Sequence, residues 1–253
     1  MTQRVLITAG AGGIGLATAQ AFVERGARVH IMDIDAEGLR RATADNPSIT
    51  TTEGDVARPA DLDRLFSDVC KQLGGLDVLV NNAGIAGATA SVAEYPLETW
   101  SAVVDINLTG TFMVTQRAIP LLQESAAGSI IVMSSLAGRF GYPNRIAYST
   151  TKWGLIGFTK TLAMELGPLG ITANSIHPGA VEGPRLQSVL EGRAKSSGRS
   201  IQDEAESAMA NQSIKKFTSP ADIAALTVFL AGPHARTISG QVFPIDGDSK
   251  STV

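Results

Sequence analysis

The sequence alternates short runs of β-branched and apolar residues with longer amphipathic segments. Seven runs predict strands: RVLIT, ARVHIMD, SITTTEGD, LDVLVNN, GSIIVMSS, ITANSIHP and QVFPID. Strands that are apolar on both faces and alternate with helices are typical of a parallel sheet covered on both sides. Because crossover connections are nearly always right-handed, we expect a doubly wound α/β fold, with seven parallel strands flanked by helices on both faces.

The length and the spacing of the elements predict a single domain over residues 1–253. One stretch, residues 182–213, breaks the alternation because it is polar and rich in Ser, Gly and Arg. Long insertions in compact domains are usually functional or disordered. We therefore predict a lid over a substrate pocket there, with a plain surface excursion as the alternative.

Charge and composition restrict the partners. The formal net charge of −3 and the pI near 5.6 argue against nucleic-acid binding. No apolar run is long enough to span a bilayer, and the N-terminal apolar segment is too short for a signal peptide. The single cysteine, Cys70, cannot form an internal disulfide, and its helical context predicts a buried or half-buried thiol. We expect a cytoplasmic protein that binds a small molecule, with no nucleic-acid or membrane partner.

Two glycine motifs overlap in TAGAGGIG, directly after the first predicted strand. The pattern G-x-G-x-x-G falls on Gly10, Gly12 and Gly15. The pattern T-G-x-x-x-G-x-G falls on Thr8, Gly13 and Gly15, with Ala9 in place of its first glycine. Either turn exposes backbone N–H groups at the positive end of a helix, where a pyrophosphate binds. The segment therefore predicts a Rossmann-like dinucleotide site that includes Ile14, and the register stays open at this point.

An acidic residue specifies the kind of dinucleotide. Asp33 ends the second predicted strand, 18 residues after Gly15. A carboxylate there accepts both ribose hydroxyls of the adenosine and repels a 2′-phosphate. Ile34 follows it, the turn holds no Arg or Lys, and Arg40 and Arg41 fit a solvated helix face. The sequence thus favours NAD over NADP.

Two further strand ends are predicted to meet at the same edge of the sheet. In EGDV, Asp55 is predicted to hold the adenine amino group and Val56 to pack on the ring. The segment NNAG brings three residues to this edge, although a simple turn is the alternative: Asn82, Ala83 and Gly84.

The segment AYSTTK carries the strongest chemical signal. Tyr148 and Lys152 are four residues apart and lie on one face of a predicted helix. A fixed ammonium favours the phenolate and lowers a tyrosine pKa, so the pair can exchange a proton near neutral pH. Ser135 ends the fifth strand, thirteen residues earlier, and Asn107 lies within a long helical segment.

Together these motifs resemble the short-chain dehydrogenase/reductase family, in its NAD(P)-dependent branch of about 250 residues. The resemblance runs from Val5 to about Gly247 and rests on TAGAGGIG, GDV, NNAG, the YxxxK pair and HPG in family order. It selects the register in which Gly13 and Gly15 are the family glycines. Ala9 departs from the pattern, and we expect it to adopt an ordinary φ.

The resemblance implies a role for each catalytic candidate. Tyr148 acts as general acid/base, and Lys152 binds the nicotinamide ribose and lowers the Tyr148 pKa. Ser135 holds the substrate oxygen, while Asn107 holds a water that links Lys152 to solvent. Pro178 and Gly179 belong to the cofactor site.

One motif departs from the family at the nicotinamide. Gly183 stands where the family often has Thr, so the Val181 backbone is expected to hold the carboxamide.

The substrate class stays broad at this level. Leu136 and Tyr142 are predicted pocket walls, and Arg139, Arg145 and Arg185 are candidates to meet an acidic group. The leading hypothesis is an NAD-dependent interconversion of a secondary alcohol (polyol, hydroxy acid or cyclic alcohol) and its ketone. The alternatives are a 3-oxoacyl-thioester reductase and, remotely, a non-catalytic dinucleotide sensor. The three histidines are scattered, so no metal is predicted, and the resemblance implies a homotetramer.

Overall fold

The computed structural model describes residues 2–252, apart from the side chains of Arg185 and Ser196. Each predicted strand is present: β1 Arg4–Thr8, β2 Arg28–Asp33, β3 Ile49–Glu53, β4 Val78–Asn81, β5 Ser129–Met133, β6 Thr172–Pro178 and β7 Val242–Ile245. They form one parallel sheet in the order β3-β2-β1-β4-β5-β6-β7. The predicted doubly wound fold is confirmed, and the chain changes direction of winding between β1 and β4.

Helices cover both faces of the sheet. They are α1 Gly13–Val23, α2 Ala36–Asp45, α3 Pro59–Leu73, α4 Leu97–Val104, α5 Thr111–Gln123, α6 Ile146–Leu166, α7 Pro184–Ser197, α8 Ile201–Ala208 and α9 Pro220–Leu230. A π-helical segment, Asp105–Gly110, joins α4 to α5. Within residues 2–252, no helix combines the length and apolarity needed to cross a bilayer.

The strands are apolar on both faces because each face contacts a separate core. In β1, Ile7 packs with Phe22 of α1 and Ile223 of α9. Its neighbour Leu6 faces the opposite core, with Leu65 of α3. Successive side chains of a strand point to opposite faces, so an uninterrupted apolar run serves both layers.

The polar stretch 182–213 is largely helical. It forms α7 and α8, and Ser197 at the end of α7 donates to the buried Glu204 carboxylate of α8 across 2.8 Å. After α8, the chain pairs with the C-terminal segment, where Ile214 N donates to Gly247 O at 2.9 Å. The excursion is thus a folded helical pair joined to the C terminus.

Cys70 lies on the exposed side of α3, and the prediction of a buried thiol is wrong. The buried positions of this helix are Leu62, Leu65, Val69 and Leu73. These follow a 3-4-4 spacing, which places position 70 beside the apolar stripe and outside it.

The expectation of an ordinary φ at Ala9 is also wrong, because its φ is +52°. This conformation directs the Ala9 carbonyl toward Asn82, whose Nδ2 donates to it at 2.9 Å. A side chain costs roughly 1–2 kcal/mol in the left-handed region, so the turn persists with stored strain.

Ala9→Gly is expected to stabilise the fold. Glycine relieves the left-handed strain of the folded state, but it also makes the unfolded chain more flexible, which costs stability. The first effect is larger, so we expect the free energy of unfolding to rise by about 0.5 kcal/mol. Urea unfolding followed by circular dichroism measures the change. Ala11→Gly is the control, since Ala11 has no positive φ and should lose stability. Equal losses in both variants would contradict the assignment of strain to Ala9.

Candidate active site

A single hydroxyl group joins the two strands at the change of winding. Thr8 Oγ1 accepts hydrogen bonds from the backbone N–H groups of Asn82 and Ala83, both at 3.0 Å. The Thr8 side chain is 1% exposed. It therefore shapes the predicted cofactor turn from inside the protein, and NNAG does more than end a strand.

The glycines of the turn allow close packing around it. A Cβ on Gly15 would lie 2.1 Å from Ala9 O and 2.8 Å from Asn82 Nδ2. A Cβ on Gly10 would lie 2.5 Å from the Cβ of Ile31 in β2. Both overlapping motifs thus contain a glycine that the turn needs, for different neighbours.

The start of α1 is open toward the edge of the sheet. Gly12 caps the helix without a side chain, and a Cβ on Gly12 or Gly13 would meet no atom within 4 Å. Gly13 has a φ of +51°, and the half-buried Ile14 follows it. Free N–H groups and the positive helix end suit a pyrophosphate, so this part of the chain fits a dinucleotide.

Asp33 lies beside this opening, and each of its carboxylate oxygens already accepts one hydrogen bond from the backbone. Its Oδ2 accepts from Ala11 N at 3.0 Å and its Oδ1 from Asp35 N at 3.1 Å. Each carboxylate oxygen has a second lone pair, so both can still accept a ribose hydroxyl. Ile34, 72% exposed, offers an apolar surface next to them.

After β3, the carboxylate of Asp55 is available to a ligand, whereas the side chain of Val56 is mostly buried. Asp55 Oδ1 accepts from Ala57 N at 2.9 Å, which fixes the side chain at the end of β3. Val56 is 7% exposed, and a Cβ on Gly110 would lie 2.9 Å from its Cγ2. Most of Val56 therefore fills the core, and little of it is left to pack on an adenine ring.

The tyrosine and lysine of YxxxK share one face of α6. Lys152 is 4% exposed, and its Nζ donates to Met133 O, at the end of β5, at 2.9 Å. The same Nζ lies 5.7 Å from the centroid of the half-buried Tyr148 ring. The ammonium is thus held beside the phenol in a largely dry environment, where electrostatic interactions are strong.

Asn107 lies in the π-helical segment and is fully buried. Its Oδ1 accepts from Ile85 N at 2.8 Å, and its Nδ2 donates to Ile85 O and Thr151 Oγ1, both at 3.0 Å. A Cβ on Gly84 would lie 3.2 Å from Asn107 Oδ1 and 3.3 Å from Lys152 Nζ. Asn107 and Lys152 therefore meet across Gly84, and the water between Lys152 and solvent stays a prediction.

Ser135 is half-buried and begins a 3₁₀ turn, Leu136–Gly138, after β5. Its Oγ accepts from Ala137 N at 3.2 Å, so its own hydrogen is left to donate. Two neighbouring hydroxyls attach this turn to α6: Ser134 Oγ donates to Lys152 O at 2.8 Å, and Ser149 Oγ to Ala137 O at 2.9 Å. The structure thus brings Ser135 toward the helix of Tyr148 and Lys152.

The segment after β6 supports the expected role of the Val181 backbone. Thr218 N donates to Ala180 O and Glu182 N to Thr218 O, both at 2.9 Å, in a parallel bridge centred on Val181. In such a bridge the N–H and C=O of the central residue point to the opposite side. Pro178 is buried in β6, and the half-buried Gly179 packs close to Asp246: a Cβ on Gly179 would lie 3.0 Å from the Asp246 Cα.

The predicted substrate residues fall into three groups. Leu136 and Tyr142 are half-buried, and their place in a pocket wall stays a prediction. Arg145 Nη1 donates to Gly87 O at 3.4 Å, a long bond at the limit of a real contact. Arg185 belongs to α7, but its side chain lies outside the described part of the chain.

Arg139 pairs with a buried carboxylate, and its contact with an acidic substrate stays a prediction. Its Nη1 lies 2.8 Å from Oδ2 of Asp246, a carboxylate that is 5% exposed. The ion pair joins the turn after Ser135 to the segment after β7. The sequence contained no local signal for it, because the two residues are 107 positions apart.

His177 in β6 is the first residue of the HPG motif, but the motif alone indicated no role for it. Its Nδ1 lies 3.0 Å from Ser135 O, and its Nε2 lies 3.0 Å from Ser175 Oγ. Ser175 and His177 are polar residues two apart in a fully buried strand. That spacing places them on one face, and it was the signal that could have found them.

The chain is similar to known proteins over almost its whole length. The family model described as enoyl-(acyl carrier protein) reductase matches residues 9–247. D-beta-hydroxybutyrate dehydrogenase of Cupriavidus necator is 34% identical over 247 residues, which cover 96% of this chain and 95% of that protein.

Two solved structures share the whole fold. An actinorhodin polyketide ketoreductase with NADPH superposes with a TM-score of 0.92 at 32% identity, covering 97% of this chain and 96% of that one. An NAD⁺-bound xylitol dehydrogenase superposes with a TM-score of 0.89 at 30% identity, covering 97% of this chain and 98% of that one.

Thr8→Val is expected to destabilise the protein by about 2–4 kcal/mol, since it leaves two N–H groups without their acceptor in a nearly isosteric side chain. Thr8→Ser is the control, because it keeps the oxygen. Urea unfolding measures both variants. A Val variant as stable as the Ser variant would show that the Thr8 hydroxyl does not hold the two strands together.

Proposed function

The chain belongs to the short-chain dehydrogenase/reductase family, and we propose that it interconverts a secondary alcohol and its ketone with NAD. One observation carries the proposal. Lys152 is buried beside the Tyr148 ring on α6, and the turn that begins with Ser135 is bonded to that helix. This arrangement suits proton exchange with one substrate oxygen.

The roles of the side chains follow from their positions. Ser135 donates its hydroxyl hydrogen to the substrate oxygen and fixes it near Tyr148. Tyr148 protonates that oxygen when a ketone is reduced and removes the proton when an alcohol is oxidised. Lys152 stabilises the phenolate through its charge, and Asn107 holds the loop after β4 against this lysine. The nicotinamide, when bound, supplies or accepts the hydride.

The surroundings of Asp33 support NAD over NADP. The two nearest arginines of α2 are engaged by acidic neighbours: Arg40 pairs with Glu37 at 2.9 Å, and Arg41 with Asp35 at 3.6 Å. Both are exposed pairs of low energy. A 2′-phosphate would have to displace them and face the Asp33 charge.

A 3-oxoacyl-thioester reductase is the second candidate. The superposition on a polyketide ketoreductase with NADPH favours it. The acidic surroundings of Asp33 count against NADPH and make this activity secondary. A dinucleotide sensor is a remote third candidate, because Ser135, Tyr148 and Lys152 are all present.

The lid, the homotetramer and the cytoplasmic location stay predictions. The helical pair α7–α8 follows the Val181 backbone directly, where a lid has to begin. Large apolar side chains on α5 and α6 support an interface between copies: Phe112 and Trp153 are each 49% exposed, and Met164 is 80% exposed.

Absorbance at 340 nm tests the reaction. We would mix the protein with NAD or NADP and a panel of polyols, hydroxy acids and cyclic alcohols, then with NADH or NADPH and the matching ketones and 3-oxoacyl thioesters. NAD-linked turnover of one alcohol class supports the proposal. NADPH-linked thioester reduction alone would favour the second candidate. Tight NADH binding without any turnover would favour the sensor.

Tyr148→Phe is expected to lower kcat by about 100-fold to 10,000-fold, because it removes the proton donor and leaves the ring in place. The dissociation constant for NADH, followed by its fluorescence, should change little. Retained turnover would exclude Tyr148 as the acid/base. A parallel loss of NADH binding would instead assign it to the cofactor.

Asp33→Asn is expected to weaken NAD binding by roughly 10-fold to 100-fold while NADP binding changes little or improves, since a charged acceptor is lost. The amide keeps an oxygen for the Ala11 N–H bond. Asp45→Asn, an exposed position on α2, controls for the net charge. Equal weakening of NAD and NADP would contradict the ribose assignment.

A further inference from the structure

His177 is completely buried in β6, and the proposed mechanism gives it no role. One ring nitrogen contacts the peptide carbonyl of Ser135 and the other contacts Ser175 Oγ, each at 3.0 Å. We propose that His177 is a positioning residue, which holds the peptide group of Ser135 so that its hydroxyl meets the substrate oxygen. The proposal rests on the role of Ser135 in the proposed function.

The contacts specify the tautomer of the ring. A carbonyl oxygen only accepts, so Nδ1 carries the hydrogen and donates it to Ser135 O. In the neutral ring Nε2 then accepts from the Ser175 hydroxyl, whose other acceptor, Gln241 O, lies farther away at 3.4 Å. Burial, together with the charges of Arg139 and Lys152, lowers the pKa of His177 to about 4, although the hydrogen bond to Ser135 O acts in the opposite direction. The neutral Nδ1–H form is therefore the one present near neutral pH.

The bond from His177 holds the backbone carbonyl of Ser135, and the backbone sets the direction of the Ser135 side chain. Ser135 O also accepts from Gly138 N at 2.9 Å, and Ser135 Oγ accepts from Ala137 N at 3.2 Å. Those two bonds lie within the 3₁₀ turn and move with it. The bond to His177 reaches across 42 residues to the neighbouring strand, so it ties the turn to the rigid sheet.

The other links of this turn leave that orientation less constrained. Ser134 N donates to Ile176 O at 2.8 Å, and Ser149 Oγ donates to Ala137 O at 2.9 Å. They hold the residue before Ser135 and the residue two positions after it. His177 contacts the Ser135 carbonyl itself. A shift of about 1 Å in a positioned group can cost on the order of 100-fold in rate.

Two amide replacements of His177 distinguish the effect of its hydrogen-bond donor from the effect of the size of its ring. His177→Asn places an N–H donor at the position of Nδ1, whereas His177→Gln places it one bond farther, at the position of Nε2. We expect Asn to keep kcat within about 5-fold of the wild type, and Gln and Leu to lower kcat by about 10-fold to 100-fold. The dissociation constant for NADH should stay within about 2-fold in all three. Equal kcat in the Asn and Gln variants would overturn the proposal.

A matched control is available in β2. His30 is also completely buried, with ring nitrogens 2.8 Å from Thr50 Oγ1 and 2.9 Å from Thr52 Oγ1, and its pKa is likewise lowered to about 4 by burial. His30→Leu should lower the melting temperature much as His177→Leu does, yet leave kcat within about 2-fold below melting. A similar loss of kcat in both Leu variants would make His177 a structural residue only.

The decisive measurement is whether the effect of His177→Gln on kcat depends on the hydroxyl of Ser135. In a Ser135→Ala background there is no hydroxyl to place, so His177→Gln should lower kcat by less than about 2-fold. An undiminished loss in that background would overturn the proposal. Crystal structures of the Asn and Gln variants give a readout without substrate: an Oγ of Ser135 that stays in place in both would also overturn it.

These outcomes separate the inference from the proposed function. A wild type that reduces no ketone and oxidises no alcohol refutes the function. A displaced Ser135 Oγ in the Gln variant still supports the positioning role in that case. Normal turnover by the wild type with no difference between Asn and Gln refutes the inference alone.

Discussion

The site depends on the bond between the Thr8 hydroxyl and the backbone after β4. The strands β1 and β4 pair in the sheet, and the direction of winding changes between them. The hydroxyl accepts two N–H groups, and the Asn82 amide returns two bonds to the carbonyls of Thr8 and Ala9. Ala9 accepts its bond from Asn82 with a φ of +52°, and the space at Gly15 fits a hydrogen only. The open N-terminal end of α1 follows directly after this turn.

A second set of buried polar groups extends from there to the catalytic candidates. Asn107, Lys152 and His177 are each bonded to a backbone carbonyl of a different segment. No buried side-chain nitrogen or oxygen in the described part of the chain lacks a partner. An unpaired polar group in such a low-dielectric interior costs several kcal/mol, so satisfied groups of this kind specify one arrangement. The positions of Ser135 and Tyr148 therefore depend in part on hydrogen bonds made within the protein.

Much of the fold could be predicted from the chain because its signals are local. The apolar runs became strands with bounds shifted by a residue or two, and the glycine turn, Asp33 and the YxxxK pair lie where the pattern required. The two errors have different causes. Cys70 falls one position beside the apolar stripe of α3, and Ala9 follows the demands of Asn82, which lies 73 residues away.

The order of residues was sufficient for everything that depends on neighbours: strand or helix, the face on which Tyr148 meets Lys152, and the class of cofactor that the glycine turn suits. It was insufficient wherever a residue serves a distant partner. It did not show that Arg139 pairs with Asp246 or that the Thr8 hydroxyl supports the backbone of Asn82. His177 belonged to the HPG motif, but its partner became known only when β6 lay beside the turn of Ser135. A polar side chain in a dry interior must satisfy its hydrogen bonds with whatever folding brings near, and those partners are known only when the strands have been placed side by side.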